Sequence, residues 1–222
     1  MNVAIIMPAY NEEKRIGKTL EAYSSYFENA GLSYEILVVI NNTKDRTEDV
    51  VKQYTKKNKR IRYLNFVKGG KGYAIIEGWK DALKRNSDFL GFVDADMATP
   101  PKAFHELIKN VNGYGGAIAN RYIKNSVVQP KYTIGRLLAS KIFNLLVRAY
   151  FLFPYTDTQC GAKLFSRKSL EKVIPKIGMT KWAFDVELLY LMHKLGFKIK
   201  EVPTVWSNIQ GSRINLKKDS VR

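Results

Sequence analysis

Short apolar runs alternate with helix-like segments along the first half of the chain, and this alternation is the strongest constraint on the fold. The runs predicted to be strands are 2–7, 34–40, 61–66, 89–93 and 116–119. The segments whose apolar residues recur at helical spacing are 13–30, 45–57, 72–85 and 101–111. Such alternation builds βαβ units, and uninterrupted apolar strands are typical of a sheet covered on both faces. We therefore predict an α/β, Rossmann-like fold with a mostly parallel sheet.

Four loops follow the carboxyl ends of the first four predicted strands. They are PAYNEE (8–13), INNTKDRT (40–47), VKGGKG (67–72) and DADMATPP (94–101). In open α/β sheets, ligands bind outside the carboxyl ends of the strands. We therefore expect a functional site where these four loops meet.

The last of these loops places Asp94 and Asp96 directly after an apolar strand. On an extended chain, residues i and i+2 point the same way, so both carboxylates are expected to face one site. Two like charges raise each other's pKa unless a cation lies nearby, and carboxylate oxygens suit Mg²⁺ or Mn²⁺. The alternative is a pair of aspartates that only shape the turn before a helix at Pro101.

The glycine-rich loop carries Lys68 and Lys71 just before a predicted helix. Backbone N–H groups at a helix start, together with a lysine, suit a phosphate. The loop does not match the P-loop pattern, and the first loop lacks G-x-G-x-x-G, so neither nucleotide fingerprint is predicted. A simple turn is the alternative for this loop.

The charge balance is strongly basic, with 37 Lys and Arg against 20 Asp and Glu and a net charge of +17 over 222 residues. Such a surface favours nucleic acid, an anionic membrane face or phosphorylated substrates, although lysines can also serve solubility alone. The single cysteine excludes an intramolecular disulfide and a cysteine-pair zinc site. No run is long enough to predict a membrane span, and the sequence starts without a signal-like segment, so we expect a cytoplasmic protein.

The second half begins with an apolar segment, 133–153, that is punctuated by three basic residues. Such a segment either packs as a core helix or lies in a membrane interface with its apolar face down. The high positive charge and the aromatic residues at its end favour the interface. Farther along, the pattern predicts a helix at 184–195 and one strand at 199–206.

Taken together, the motifs resemble family-2 inverting glycosyltransferases of the GT-A fold. The first-half motifs are PAYNE (8–12), GGKG (69–72) and DAD (94–96). The second-half motifs, DTQCGAKLF (157–165), WAFDVELLYL (182–191) and EVPTVWSNIQGS (201–212), are similar to the dolichyl-phosphate glucosyltransferase branch, which neighbours the dolichyl-phosphate mannosyltransferases. The resemblance covers nearly the whole chain.

The resemblance implies one GT-A catalytic domain over 1–222, with a nucleotide-sugar-binding half (1–120) and an acceptor half (121–222) that contains the amphipathic segment 133–153. It implies inverting transfer of a sugar, glucose from UDP-glucose, onto a polyprenyl or dolichyl phosphate at the membrane surface, with Mg²⁺ or Mn²⁺. The expected location is peripheral, on the cytoplasmic face. A GDP-mannose donor is the alternative within the class. A nucleic-acid-binding protein is the alternative outside it, disfavoured because aromatic residues lie within apolar runs and no RNA- or DNA-binding motif is apparent.

Carried over position by position, the resemblance also implies the site residues. The nucleotide-sugar-binding residues are Pro8, Ala9, Tyr10, Glu12, Asn41, Lys71, Asp94 and Ala95. The catalytic residues are Asp94, Asp96, Asp185 and Glu187, with Asp94 and Asp96 also as metal ligands. The residues that bind the acceptor phosphate are Arg121, Arg136 and Lys163.

Two positions depart from the family pattern. Asn41 stands where relatives carry an acid that helps recognise the base, and its amide can still bind uracil because it offers an acceptor and two donors. The choice between uridine and guanosine therefore stays open at this position. Ala98 stands where mannosyltransferase relatives often have a glutamine ligand, and this favours the glucosyl branch.

Overall fold

A seven-stranded sheet lies at the centre of the computed structural model, which describes residues 1–130, 134–152, 154–178 and 183–207. Its strands are β1 (Asn2–Ala9), β2 (Ser33–Asn41), β3 (Ile61–Phe66), β4 (Phe89–Val93), β5 (Gly116–Asn120), β7 (Ala162–Ser166) and β8 (Ile199–Pro203). A second sheet pairs β6 (Val127–Gln129) with β9 (Val205–Ser207). The helices are α1 (Ile16–Asn29), α2 (Thr47–Lys57), α3 (Lys71–Ala82), α4 (Pro101–Asn110), α5 (Ile134–Phe151), α6 (Arg167–Val173) and α7 (Phe184–Lys194). A 3₁₀ turn, Ile174–Lys176, follows α6.

The strand order of the main sheet is β3-β2-β1-β4-β7-β5-β8. Strand β7 is antiparallel to both of its neighbours, and the other pairings are parallel. Because β7 runs in the opposite direction, its first residue, Ala162, lies opposite Val93 at the end of β4. The start of β7 therefore reaches the edge of the sheet at which the parallel strands end.

Apolar side chains alternate between the two faces of the sheet and form two buried clusters. In β1, Val3, Ile5 and Met7 pack with the cluster that holds the apolar faces of α1 and α4. The intervening residues Ala4 and Ile6 pack with the cluster of α3, α6 and α7. Both faces are therefore covered, which explains why the strands read as continuous apolar runs.

Several elements of the second half differ from the sequence-based expectation. Strands β6 and β7 and helix α6 were not predicted, and Lys163, the second residue of β7, is fully buried. The single strand expected at 199–206 is two strands, because β8 ends at Pro203 and the chain then pairs with β6. Proline has no N–H to donate to the sheet, which makes it a natural strand end.

Helix α5 has one face packed against the core and one exposed apolar face. Its inner face carries Val147 and Phe151, which pack against the second cluster, and Asn144, whose Oδ1 accepts hydrogen bonds from the N–H and the hydroxyl of Thr158, both at 3.1 Å. Its outer face exposes large apolar side chains, namely Leu138, Ile142, Phe143, Leu145, Leu146 and Tyr150. The segment ends Thr133 and Phe153 lie outside the described residues. Among the described helices, none combines the length and the apolar character needed to cross a bilayer.

Candidate active site

Hydrogen bonds join the first two loops at the carboxyl edge of the sheet. The N–H of Glu12 donates to the hydroxyl of Thr47 at 2.7 Å, and the N–H of Glu13 donates to Asp45 at 3.2 Å. The Glu12 carboxylate pairs with Arg15 through two nitrogens of the guanidinium. The loop after β1 is thus held by the loop after β2, and Glu12 lies within an ion pair.

Asn41 connects three of the loops. It is buried, its Nδ2 donates to the carbonyl of Ala9 at 3.2 Å, and its Oδ1 accepts from the N–H of Gly70 at 3.2 Å. The end of β1, the end of β2 and the glycine-rich loop are therefore fixed around one amide. Asn41 can meet a base only with the hydrogen-bonding capacity that these two contacts leave.

Lys71 and Asp94 form a close ion pair at this edge. The Nζ of Lys71, the first residue of α3, lies 2.5 Å from Oδ1 of Asp94. Burial alone would lower the pKa of Lys71, but the charges of Asp94 and Asp185 raise it above its ordinary value. Lys71 therefore remains a cation beside the first aspartate of the DAD motif.

A second lysine–aspartate pair lies next to the first. The Nζ of Lys163 is 2.6 Å from Oδ1 of Asp185 and 2.7 Å from the carbonyl oxygen of Cys160. The Nζ atoms of Lys71 and Lys163 lie 5.5 and 5.2 Å from the centre of the Phe92 ring. Two cations and two carboxylates are thus gathered at the end of β4, although the sequence separates Lys71 from Asp185 by more than a hundred residues.

Asp96 occupies a turn rather than an extended segment. Strand β4 ends at Val93, Oδ1 of Asp96 accepts from the N–H of Ala98 at 2.9 Å, and Met97 has a positive φ of 65°. The expectation that both aspartates project from an extended chain is therefore wrong. The two carboxylates nevertheless interact. Burial raises the pKa of Asp96, and the negative charge of Asp94 raises it further.

Asp185 and Glu187 do not share a position. Asp185 points to Lys163, whereas Oε1 of Glu187 accepts a hydrogen bond from the N–H of Gly178 at 3.0 Å. Residues two apart on a helix face different directions. The structure therefore brings Asp185 into the charged cluster and places Glu187 against the segment before α7.

Arg121 forms a bidentate pair with Asp157. Nε and one terminal nitrogen of the guanidinium lie 2.8 Å from the two carboxylate oxygens. The backbone N–H of Arg121 donates to the same carboxylate at 3.0 Å. The guanidinium also lies over the rings of Tyr122 and Trp206. Any contact of Arg121 with an acceptor phosphate must coexist with this pair. Arg136 lies in α5, and its side chain is outside the part that the structure describes.

The remaining residues predicted to bind the nucleotide sugar lie at the end of β1 and within the DAD loop. Pro8 and Ala9 close β1, and Tyr10 directly after them is 44% exposed. Ala95 is buried, and its carbonyl accepts a hydrogen bond from the hydroxyl of Thr19 at 2.7 Å. A nucleotide can reach the exposed ring of Tyr10, whereas the side chain of Ala95 faces the interior.

The carboxylates of Asp94 and Asp96 fit a divalent cation by charge and by atom type. A cation there would offset the burial and the like charge that raise the pKa of Asp96. Mg²⁺ usually completes its shell with phosphate oxygens and water. In the described ranges, no group of three or more His, Cys, Asp and Glu side chains is placed to hold a metal.

Three residues that surround the site were not singled out from the sequence. Arg15 pairs with Glu12 and its charge acts on Asp96, Asp157 holds Arg121, and Gly161 lies against Asp94. Their roles depend on tertiary contacts, since Asp157 meets a partner 36 residues away in the chain. Only the position of Asp157 and Gly161 inside the DTQCGAKLF motif could have directed attention to them.

The sequence matches known glycosyltransferases along almost all of its length. Residues 4–174 match the profile of glycosyl transferase family 2. The chain is 34% identical over 230 residues to a dolichyl-phosphate beta-glucosyltransferase of Drosophila melanogaster, covering 96% of this chain and 69% of that protein. It is 32% identical over 229 residues to a human protein of the same name, again covering 96% and 69%.

The fold also matches solved structures. A glucosyl-3-phosphoglycerate synthase from Mycobacterium tuberculosis, crystallised with Mn²⁺, uridine diphosphate and glucosyl-3-phosphoglycerate, superposes with a TM-score of 0.69. The overlap covers 92% of this chain and 70% of that chain at 20% identity, and it confirms the GT-A fold. The matched profile and the relatives above 30% identity lead to one conclusion: the chain belongs to glycosyl transferase family 2 and is a glycosyltransferase.

Proposed function

We propose that the protein transfers glucose from UDP-glucose to a polyprenyl phosphate of the dolichyl type at a membrane surface, with Mg²⁺ or Mn²⁺ as cofactor. The observation that carries the proposal is the similarity to dolichyl-phosphate beta-glucosyltransferases, which extends through both halves of the chain. Strands from both halves share one sheet, and this supports treating residues 1–222 as one catalytic domain.

The donor would lie at the carboxyl edge of β1, β2 and β4. Asp94 and Asp96 would hold the divalent cation, and Lys71 would face the diphosphate once the donor arrives. The bound cation would supply Lewis-acid stabilisation of the leaving diphosphate. Asn41 and Tyr10 would border the base, with Pro8, Ala9 and Glu12 shaping the loop around it. The crystallised neighbour that holds both Mn²⁺ and uridine diphosphate supports this assignment of cofactor and nucleotide.

In the proposed reaction, an oxygen of the lipid phosphate attacks the anomeric carbon of glucose. A new carbon–oxygen bond forms while the bond from that carbon to UDP breaks, and UDP leaves with the electron pair. The attacking phosphate is already anionic at neutral pH, so no strong general base is required. Asp185, held by Lys163, would position the sugar or the acceptor through its fixed negative charge.

The acceptor would reach the site along α5. The outer face of this helix exposes Leu138, Leu145 and Leu146, and Lys141 is exposed on the same helix. An apolar face beside basic residues suits an interface with anionic lipid, and the net charge of +17 adds to this attraction. Peripheral attachment through α5 is therefore part of the proposal, with Arg121 and Arg136 as the proposed contacts of the acceptor phosphate.

The test is a transfer assay with a panel of sugar nucleotides. Vesicles containing a polyprenyl phosphate would be incubated with the protein, Mg²⁺ or Mn²⁺ and UDP-glucose, GDP-mannose or other donors, and lipid-linked sugar would be measured. We expect glucose transfer from UDP-glucose that stops when the cation is chelated. Transfer from GDP-mannose alone, or no lipid-linked sugar from any donor, would overturn the proposal.

A further inference from the structure

Gly161 lies immediately before β7, at the point where this reversed strand meets the end of β4. Its carbonyl oxygen accepts a hydrogen bond from the N–H of Asp94 at 3.1 Å. The following residue, Ala162, is the register partner of Val93. The backbone of Gly161 therefore runs beside Asp94, the first aspartate of the DAD motif.

The side chain of Asp94 fills the space that a side chain at Gly161 would need. An added Cβ would lie 2.5 Å from Cγ of Asp94 and 3.1 Å from its Oδ1, and it would overlap Oδ2. These three carboxyl atoms are the nearest neighbours of that Cβ position. Carbon atoms in contact normally stay about 3.5–4.0 Å apart, so Asp94 would have to move.

Backbone conformation does not explain the glycine. Gly161 is absent from the glycines with positive φ, which are Gly31, Gly70, Gly113 and Gly196. Its φ is therefore one that an L-residue can adopt. What the position requires is space, and Asp94 occupies that space.

Oδ1 of the same carboxylate pairs with Lys71, whose Nζ lies 2.5 Å away. The Asp94 carboxylate thus lies between the backbone of Gly161 and the side chain of Lys71. We propose that Gly161 is a positioning residue of the donor site: its missing side chain lets the Asp94 carboxylate take the place from which it meets the cation and diphosphate of the nucleotide sugar. This inference rests on the proposed function for the ligand, and on geometry alone for the contact.

The experiment compares Gly161→Ala, Asp94→Ala and the double variant with the wild type. Gly135→Ala is the matched control for donor binding, because no atom of the described residues lies within 4 Å of a Cβ added at Gly135. UDP binding in the presence of Mn²⁺ would be measured by calorimetry. We expect Gly161→Ala to weaken binding at least about tenfold, and to add little further loss when Asp94 is already alanine. Wild-type affinity in Gly161→Ala, or losses that multiply in the double variant, would overturn the proposal.

A second measurement needs no ligand and separates this inference from the proposed function. In thermal unfolding, Gly161→Ala should lower the midpoint by roughly 5 °C when Asp94 is present and by clearly less when Asp94 is alanine, because contacting residues are not additive. If Gly161→Ala alone fails to fold, the double variant decides, since it should fold once the carboxylate is gone. A double variant that also fails to fold, or equal shifts in both backgrounds, would refute the contact whatever the protein transfers.

Discussion

The Nζ of Lys71 lies 2.5 Å from Oδ1 of Asp94, so a cation of the protein itself occupies the carboxylate that a divalent cation would use. A divalent cation bound to this carboxylate would lie close to the Lys71 ammonium group, and two positive charges repel strongly in a site of reduced dielectric constant. Under the proposed function, a metal ion would therefore compete with Lys71 for Asp94 until the negative diphosphate arrives and attracts both. Donor and cation are expected to bind together rather than in sequence.

Replacing Lys71 should reveal this competition. In Lys71→Met, we expect Mn²⁺ to bind the donor-free protein at least about tenfold more tightly, while affinity for UDP-glucose falls because its diphosphate loses a cation. Titration calorimetry with Mn²⁺ alone and then with UDP-glucose measures both. Lys68→Met is the control, since Lys68 on the same loop lies over the Tyr73 ring instead. Unchanged or weaker Mn²⁺ binding in Lys71→Met would contradict the competition.

Asp96→Ala should abolish transfer without harming the fold. Burial and the charge of Asp94 raise the pKa of Asp96, so folding disfavours the charged form of this carboxylate. We expect the transfer rate to fall at least about 100-fold, equivalent to ~2.7 kcal/mol of transition-state stabilisation, while the free energy of unfolding stays constant or rises slightly. Rates and denaturant unfolding, compared with the exposed control Asp49→Ala, check this. Near-normal turnover in Asp96→Ala would refute the metal assignment.

Asp157→Ala should destabilise the protein itself. The Asp157 side chain is fully buried, and Arg121, its bidentate partner, is only 10% exposed. Removing one member of a buried pair leaves the other charge without compensation, which costs about 3–5 kcal/mol. Glu106→Ala, which breaks an exposed pair with Lys109, should cost less than about 1 kcal/mol. Similar free energies of unfolding for the two variants would show that the Arg121–Asp157 pair is not structural.

Polar residues on the outer face of α5 should release the protein from membranes. Leu138, Phe143 and Leu146 are exposed, so their replacement by Gln removes no described core contact. We expect the triple variant to keep its unfolding midpoint and to lose most of its sedimentation with vesicles of mixed neutral and anionic lipid. Val67→Gln serves as the control because Val67 is 94% exposed and lies elsewhere. If the triple variant unfolds, α5 is a core helix on both faces.

The thiol of Cys160 should be unreactive until the protein unfolds. Burial, followed by the charge of Asp157, raises the pKa of Cys160 to about 12. An unfolded cysteine has a pKa of about 8.5, so the protonated thiol favours the folded state below that pH and the contribution is lost as the pH rises towards 12. Labelling with a disulfide reagent at pH 8 should be slow in buffer and complete in denaturant. Because Cys160 is the only cysteine, rapid labelling of the native protein would directly contradict its burial.

Much of the first half could be predicted because its pattern is local. Strands β3 and β4 begin and end where the apolar runs do, at 61–66 and 89–93. Strand β7 escaped prediction because Lys163 interrupts it, and a lysine is tolerated there only through its pairing with Asp185, about twenty residues later in the chain. A contact between distant segments leaves no periodic trace in the sequence.

The site could likewise be predicted where it depends on local pattern and could not where it depends on contacts between distant segments. The rule that ligands meet the carboxyl ends of parallel strands gathered the four loops, and the bonds of Asn41 to Ala9 and Gly70 join three of them. The partners of Arg121 and Lys163 could not be predicted. A sequence motif does not distinguish a basic residue that binds a phosphate from one that neutralises a buried carboxylate. Their roles towards the acceptor remain predictions.

The reversed strand β7 also joins residues 1–120 and residues 121–222 into one sheet. It comes from the second half of the chain, yet it bonds to β4 on one side and to β5 on the other, so it lies between two strands of the first half. A hinge between residues 1–120 and 121–222 would have to break these ladders, and a chain cut after Asn120 would leave unpaired strand edges that invite aggregation. Residues 121–222 therefore do not form an exchangeable module, because their strand β7 completes a sheet whose neighbouring strands come from residues 1–120.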